Sequence, residues 1–202
     1  MRKLTAAAAG VAVAALLAFA GARGAAEEAK KATYVGAQKC MKCHSKQVTA
    51  WKKTKLANSL AALKPTPETE KELFDRKKKS NLDPAKDYST DAACLKCHTT
   101  GYGQEGGYPE KTTEENAKQA KEMGAVSCEA CHGAGSLYWE YKTNKRKENK
   151  DATFTKEEMA KFGLVEPNEA NCQSCHNKDN PTHATDTFKF AEDSKKPHPS
   201  KE

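Results

Sequence analysis

CMKCH (residues 40–44) sets two cysteines three apart, with a histidine directly behind the second. The same frame returns as CLKCH (94–98), CEACH (128–132) and CQSCH (172–176). On one helical turn, positions i, i+3 and i+4 share a face, with Cβ atoms about 5–6 Å apart. Cys40, Cys43 and His44 therefore point the same way. Two thiols and an imidazole on one face suit a covalently attached haem: the thiols add to the two vinyl groups, and the imidazole reaches the iron from the same side. C-x-x-C-H is the attachment signature of c-type haem, and histidine is the usual proximal ligand.

C-x-x-C alone also serves redox and zinc sites. Here the four frames use all eight cysteines, and each carries a histidine immediately after it although the chain has only six. A zinc ribbon has no reason to place histidine there, and neither has a disulfide framework of the kind common in secreted chains. The reading is four covalent haem c groups on Cys40/Cys43, Cys94/Cys97, Cys128/Cys131 and Cys172/Cys175, with His44, His98, His132 and His176 as proximal ligands.

The leader MRKLTAAAAGVAVAALLAFA (1–20) has a basic start at Arg2 and Lys3, an apolar run, and Ala18-Phe19-Ala20 as a cleavage-like end. It is predicted to be a signal peptide, the alternative being a retained membrane anchor. The apolar run falls short of the roughly 20 residues that span a bilayer. No other segment is apolar enough to cross one. The expected location is the periplasm, the compartment of covalent haem attachment, with an extracellular site the alternative. Residues 21–33 are expected to form a flexible arm and 34–202 a single haem-binding domain.

The formal charge of +7 would suggest nucleic acid, but a bound ion's own charge must be counted. Loss of Arg2 and Lys3 with the leader leaves +5. Each ferric haem, with two propionates, adds a net −1, so the loaded oxidised protein carries about +1 and the reduced one about −3. The overall balance thus points to no nucleic-acid partner. With 37% hydrophobic and 30% charged residues, the protein core must be thin. The haems supply the rest, with about 45 residues around each, and the apo-chain should not fold stably.

The fold class read from these features is mainly α, with short helices and long loops wrapped around haems and little β. A helix is predicted over 37–63, carrying the first motif, Trp51 and Leu56. A charged surface helix follows over Glu68–Lys79, and Asp91 is the expected cap of a short helix bearing the second motif. GYGQEGGYP (101–109) reads as a glycine-rich loop. Thr112 with Glu115, and Thr155 with Glu158, read as capping boxes of helices ended by Gly124 and Gly163. The third motif is expected to run on through Leu137, Tyr138 and Trp139, and Pro167 to open the helix of the fourth. Residues 178–202 read as a polar tail without periodicity that nevertheless holds two histidines.

Four six-coordinate haems need eight axial ligands. The motifs supply four, and only His183 and His198 remain. At most two haems can therefore be bis-histidine. The others are open or use a substitute such as Met123 or Met159, each of which can equally be core filling. Histidine pairs tend to lower the potential, His/Met raises it, and an empty position admits small ligands.

The phrases around the motifs, YVGAQKCMKCHSKQVTAWKKTK (34–55), ACLKCHTTGYGQEGGY (93–108), VSCEACHGAGSLY (126–138), CQSCHNKDNPT (172–182) and KKPHP (195–199), resemble the tetrahaem cytochrome c-554 family. The resemblance implies a mainly helical fold with haems in close stacked pairs. It implies electrons passing from hydroxylamine oxidoreductase to a downstream cytochrome, and a five-coordinate haem at the second motif, where nitric oxide reduction has been proposed. It implies His198 as the distal ligand of the fourth haem. The chain departs from the family pattern at TKLA (54–57), where Leu56 stands at a distal histidine position, and at KEMGAVSC (121–128), which offers Met123 where relatives carry histidine. His183 lies outside the pattern.

The function read from the sequence is periplasmic electron relay through four closely packed haems. No nucleophile beside a base and no phosphate-cradling loop appears, so an enzyme is not expected. Two alternatives stay open: reduction of nitric oxide or a related small nitrogen oxide at an open haem, and a subunit of an extracellular haem filament.

Overall fold

Each Cys-x-x-Cys-His frame folds as one helical turn, and the chain between the frames is mostly loop. The computed structural model describes residues 30–178, 180 and 188–197. The leader, His183 and His198 lie outside the described residues. Among those described, ten short α-helices appear and no strand: α1 Ala37–Met41, α2 Ser45–Trp51, α3 Lys71–Lys79, α4 Ala92–His98, α5 Ala117–Met123, α6 Cys128–His132, α7 Ser136–Glu148, α8 Lys156–Ala160, α9 Glu169–Gln173 and α10 Phe190–Asp193. The architecture is mainly α, as the sequence indicates. No helix among the described residues is long and apolar enough to cross a membrane.

The long helix predicted over 37–63 is broken. His44 leaves the helical region (φ −125°, ψ 44°) and separates α1 from α2. Beyond Trp51 the chain continues as two 3₁₀ turns, Leu56–Asn58 and Ala61–Leu63. The cause lies in where the backbone and side-chain bonds go: the Leu56 carbonyl accepts from Val126 N at 3.2 Å, and Ser59 Oγ donates to the His98 carbonyl at 2.7 Å. The Leu56 carbonyl and the Ser59 hydroxyl thus tie this segment to the third and second motifs. The expected run from the third motif through Trp139 is broken as well. Gly133, at φ +78°, ends α6, and α7 starts afresh at Ser136.

Local caps fare better. Asp91 accepts from Ala93 N at 2.8 Å and starts α4. Thr155 Oγ1 accepts from Glu158 N at 3.1 Å and starts α8, but Glu158 turns its carboxylate to the Tyr141 hydroxyl, so half of the expected box forms. The Thr112/Glu115 box does not form. Asn116 binds back to Thr113 N and the Lys111 carbonyl, and α5 begins only at Ala117. A reciprocal box does open α9, made by Asn168 and Asn171 just after Pro167.

The protein's own core is small. Leu63, Tyr88, Leu95, Tyr108, Ala120 and Met123 form the buried cluster, with Tyr34, Leu60, Leu82, Cys94 and Tyr102 packed on it. The glycine-rich loop folds over this cluster and over Tyr34, whose N–H donates to the Glu105 carbonyl at 3.1 Å. A Cβ on Gly107 would lie 1.9 Å from the Gly101 carbonyl oxygen, so only glycine permits this closure.

Candidate haem sites

In all four frames the chain closes the turn that the spacing demands. The His44 N–H donates to the Cys40 carbonyl at 2.9 Å, and the His176 N–H to that of Cys172 at 2.8 Å. The second and third frames lie within α4 and α6. None of the eight cysteines forms a disulfide; Cys43 is exposed and the other seven are half-buried.

Two of the motif histidines are oriented by backbone carbonyls. His98 Nδ1 lies 2.6 Å from Ser59 O, and His132 Nδ1 lies 3.1 Å from Val165 O. A neutral imidazole that donates from Nδ1 keeps Nε2 as its lone-pair nitrogen, the arrangement that fixes the tautomer and orientation of a metal ligand. Burial holds the His98 pKa below its ordinary value, although the Ser59 carbonyl pulls the other way. The His176 ring stacks on Phe188 at 4.3 Å and 17°, and its buried Nδ1 has no hydrogen-bond partner among the described residues.

The motifs are brought together in pairs. Cys40 and Cys128 lie close enough to perturb each other, the pKa of the former being raised and that of the latter lowered. Cys97 and Cys175 do the same, and Cys175 is lowered to about 6. The first motif thus adjoins the third, and the second adjoins the fourth. Burial pushes the Cys131 thiol up to about 11, with Cys172 and Cys175 adding to the effect, so the two pairs also meet.

Residues with no motif signal hold this arrangement. Glu129, inside the third frame, is 1% exposed. Its carboxylate accepts from Gly36 N at 2.7 Å, Gly135 N at 2.6 Å and Val35 N at 3.0 Å. Burial raises its pKa, and the three N–H donors only partly offset that. Thr100 Oγ1 donates to the Ala125 carbonyl at 2.6 Å and accepts from Ser127 N at 2.9 Å, tying the second frame to the third. Trp51 Nε1 donates to the Val126 carbonyl at 2.9 Å, tying the first to the third. Of the other residues singled out, Met123 is 2% exposed within the apolar cluster, with its methyl 3.5 Å from where a Cβ on Gly36 would stand. Met159 is buried on α8. Thr33, last residue of the expected arm, exchanges bonds with Ser136 at 2.9 and 3.0 Å.

The donor set fits haem: thiols in i, i+3 pairs, each pair with an imidazole next in sequence, two of these turned to present Nε2. Among the described residues no three of His, Cys, Asp and Glu gather as ligands of a single ion. Turns of this kind define a c-type cytochrome, with haem held covalently.

Comparison with known proteins narrows the class. The family model "Cytochrome c554 and c-prime" matches residues 39–133. Cytochrome c-554 of Nitrosomonas europaea is 36% identical over 150 residues, which make up 73% of this chain and 59% of that protein's length. The solved structure of reduced cytochrome c554 from the same organism superposes with a TM-score of 0.68 at 30% identity, over 86% of each chain. The chain belongs to the cytochrome c554 family.

Proposed function

We propose that this chain is an exported electron carrier of the periplasm. In this reading four haem c groups are held by Cys40/Cys43, Cys94/Cys97, Cys128/Cys131 and Cys172/Cys175, with His44, His98, His132 and His176 below the irons. Haem supplies a one-electron couple when bound. The chain's part is to hold the four attachment turns at fixed mutual positions and to turn each imidazole toward its iron. The closeness of the motifs in pairs, first with third through the 2.9 Å bond from Trp51 Nε1 to the Val126 carbonyl and second with fourth through the neighbouring thiols of Cys97 and Cys175, carries the reading. Cofactors anchored so close together serve conduction between partners better than separate reactions. The upstream partner is an oxidoreductase and the downstream one a cytochrome. His198, His183 and Met123 are the candidate distal ligands. Intact mass of the mature holoprotein together with a pyridine haemochrome assay should return four haems per chain. Two or fewer would overturn the assignment.

A second reading, reduction of a small nitrogen oxide at an open iron, is favoured by one observation. Leu56, which offers no lone pair, is fixed beside the third motif through its carbonyl bond to Val126. Nitric oxide titration of the reduced protein, followed optically, tests for such a vacancy.

A further inference from the structure

Residues 29–67, which carry the first motif, contain nine lysines and neither Asp nor Glu. Lys55 pairs with Glu72, and Lys64 with Asp87. Lys39, Lys42, Lys46, Lys52 and Lys53 are all exposed, and none has a carboxylate within ion-pair distance among the described residues. Helix α7 extends the positive surface: Lys39 and Lys42 stand over the Trp139 ring at 4.4 and 5.7 Å, and Arg146 Nη1 lies 3.1 Å from Cys43 Sγ. Of the acids on that helix, Glu148 is already paired with Lys145.

Cys43 is also the one exposed cysteine of the eight. The exposed attachment cysteine therefore lies within the acid-free stretch of the chain. Beside them, Ser45, Lys46, Thr49, Ala50 and Lys53 line a shallow groove of about 390 Å³ along the outer face of α2. The other motifs have carboxylates close in sequence on their N-terminal side: Asp87 and Asp91 before the second, Glu122 before the third, Glu166 and Glu169 before the fourth.

We propose that this face is the docking port for a redox protein whose own centre lies behind an acidic patch. The inference rests on the electron-carrier reading and goes further, by choosing the first motif as the point of exchange and fixing the partner's charge. Opposite charge steers encounter and orients it, and a face lining the exposed edge of an attachment turn brings the partner where transfer distance is shortest. An anionic lipid surface would use the charge but gain nothing from its position around Cys43.

The test uses the holoprotein with an acidic flavodoxin as probe, and reads binding by titration calorimetry at several salt concentrations. Lys46→Glu/Lys53→Glu is compared with Lys79→Glu/Lys118→Glu, an equal charge change on exposed lysines elsewhere. Haem content and visible spectrum confirm that both fold. The expected result is affinity that falls with salt and drops about tenfold or more in the first variant alone. Equal losses in both variants would reduce the effect to net charge and overturn the port. So would unchanged binding, or equal capture of the wild type by phosphatidylglycerol vesicles. Electron exchange with a small reagent such as dithionite is measured in parallel. If exchange proceeds while the patch has no effect, only the port fails. If the probe binds at the patch but the protein accepts no electrons, the carrier reading fails.

Discussion

His98 and Ser59 hold each other by two bonds: the imidazole Nδ1 lies 2.6 Å from the Ser59 carbonyl, and the Ser59 hydroxyl donates to the His98 carbonyl at 2.7 Å. The same hydroxyl accepts from Val126 N at 2.9 Å. A single small side chain, 7% exposed, thus links the segment after the first motif to the second histidine and to the approach of the third. Ser59→Ala leaves the His98 carbonyl short of a partner in a buried place. The expected cost is about 1–3 kcal/mol, read from urea unfolding of the holoprotein, with the haem count unchanged. A loss below the error of the measurement would show that water replaces the hydroxyl.

Glu129 plays the corresponding part between the third motif and the approach to the first. Gln in its place keeps one carboxylate-like oxygen and turns an NH₂ toward backbone N–H groups, at a cost of about 1–3 kcal/mol. The pH dependence is the sharper check. Burial raises the folded-state pKa above its ordinary value of 4.5, so the folded state holds its proton longer than the unfolded one. Stability from this group is full below 4.5 and is lost as pH rises through the raised folded value. Glu129→Gln should remove that decline from the wild-type profile. A profile of the same slope in both proteins would mean that the carboxylate is ionised throughout.

Asp91 offers a local test. Its cap on Ala93 N starts the helix that contains the whole second frame. Asp91→Ala should cost about 1 kcal/mol and leave the other three turns intact, which amide exchange can follow helix by helix.

What the sequence conveys here is what short-range geometry encodes. The four turns and the caps at Asp91 and Thr155 depend on residues within four or so of each other and, although the equally local Thr112/Glu115 box gives way to Asn116, they appear in the structure. The long helix over 37–63 does not, because its interruption depends on partners far along the chain: Leu56 bonds Val126, and Ser59 bonds His98. Glu129 gave no signal either. A charged residue between two motif cysteines is ordinarily solvated, and its burial comes from three N–H groups, two of them in a segment more than ninety residues away. The pairing of first motif with third and second with fourth is likewise a long-range result, invisible in the unequal spacing of the frames.

Leu56 is where the chain departs from the distal-histidine pattern, and its surroundings make the departure testable. Its carbonyl accepts from Val126 N at 3.2 Å, and Trp51 Nε1 reaches the Val126 carbonyl at 2.9 Å, so residue 56 is anchored two residues from the start of the third frame. Leucine excludes water and supplies no lone pair. The iron expected near it is therefore high-spin, or is held by a displaced donor such as the buried Met123. Leu56→His should introduce a nitrogen ligand from a backbone already in position. The expected outcome is one fewer high-spin haem by EPR, or the loss of a methionine–iron band in the optical spectrum. A lowered potential for that haem should follow, as should the loss of any nitric oxide binding at the same iron. If spin state, potential and nitric oxide titration all stay as in the wild type, Leu56 is helix packing, and an open site has to be sought at the second motif alone.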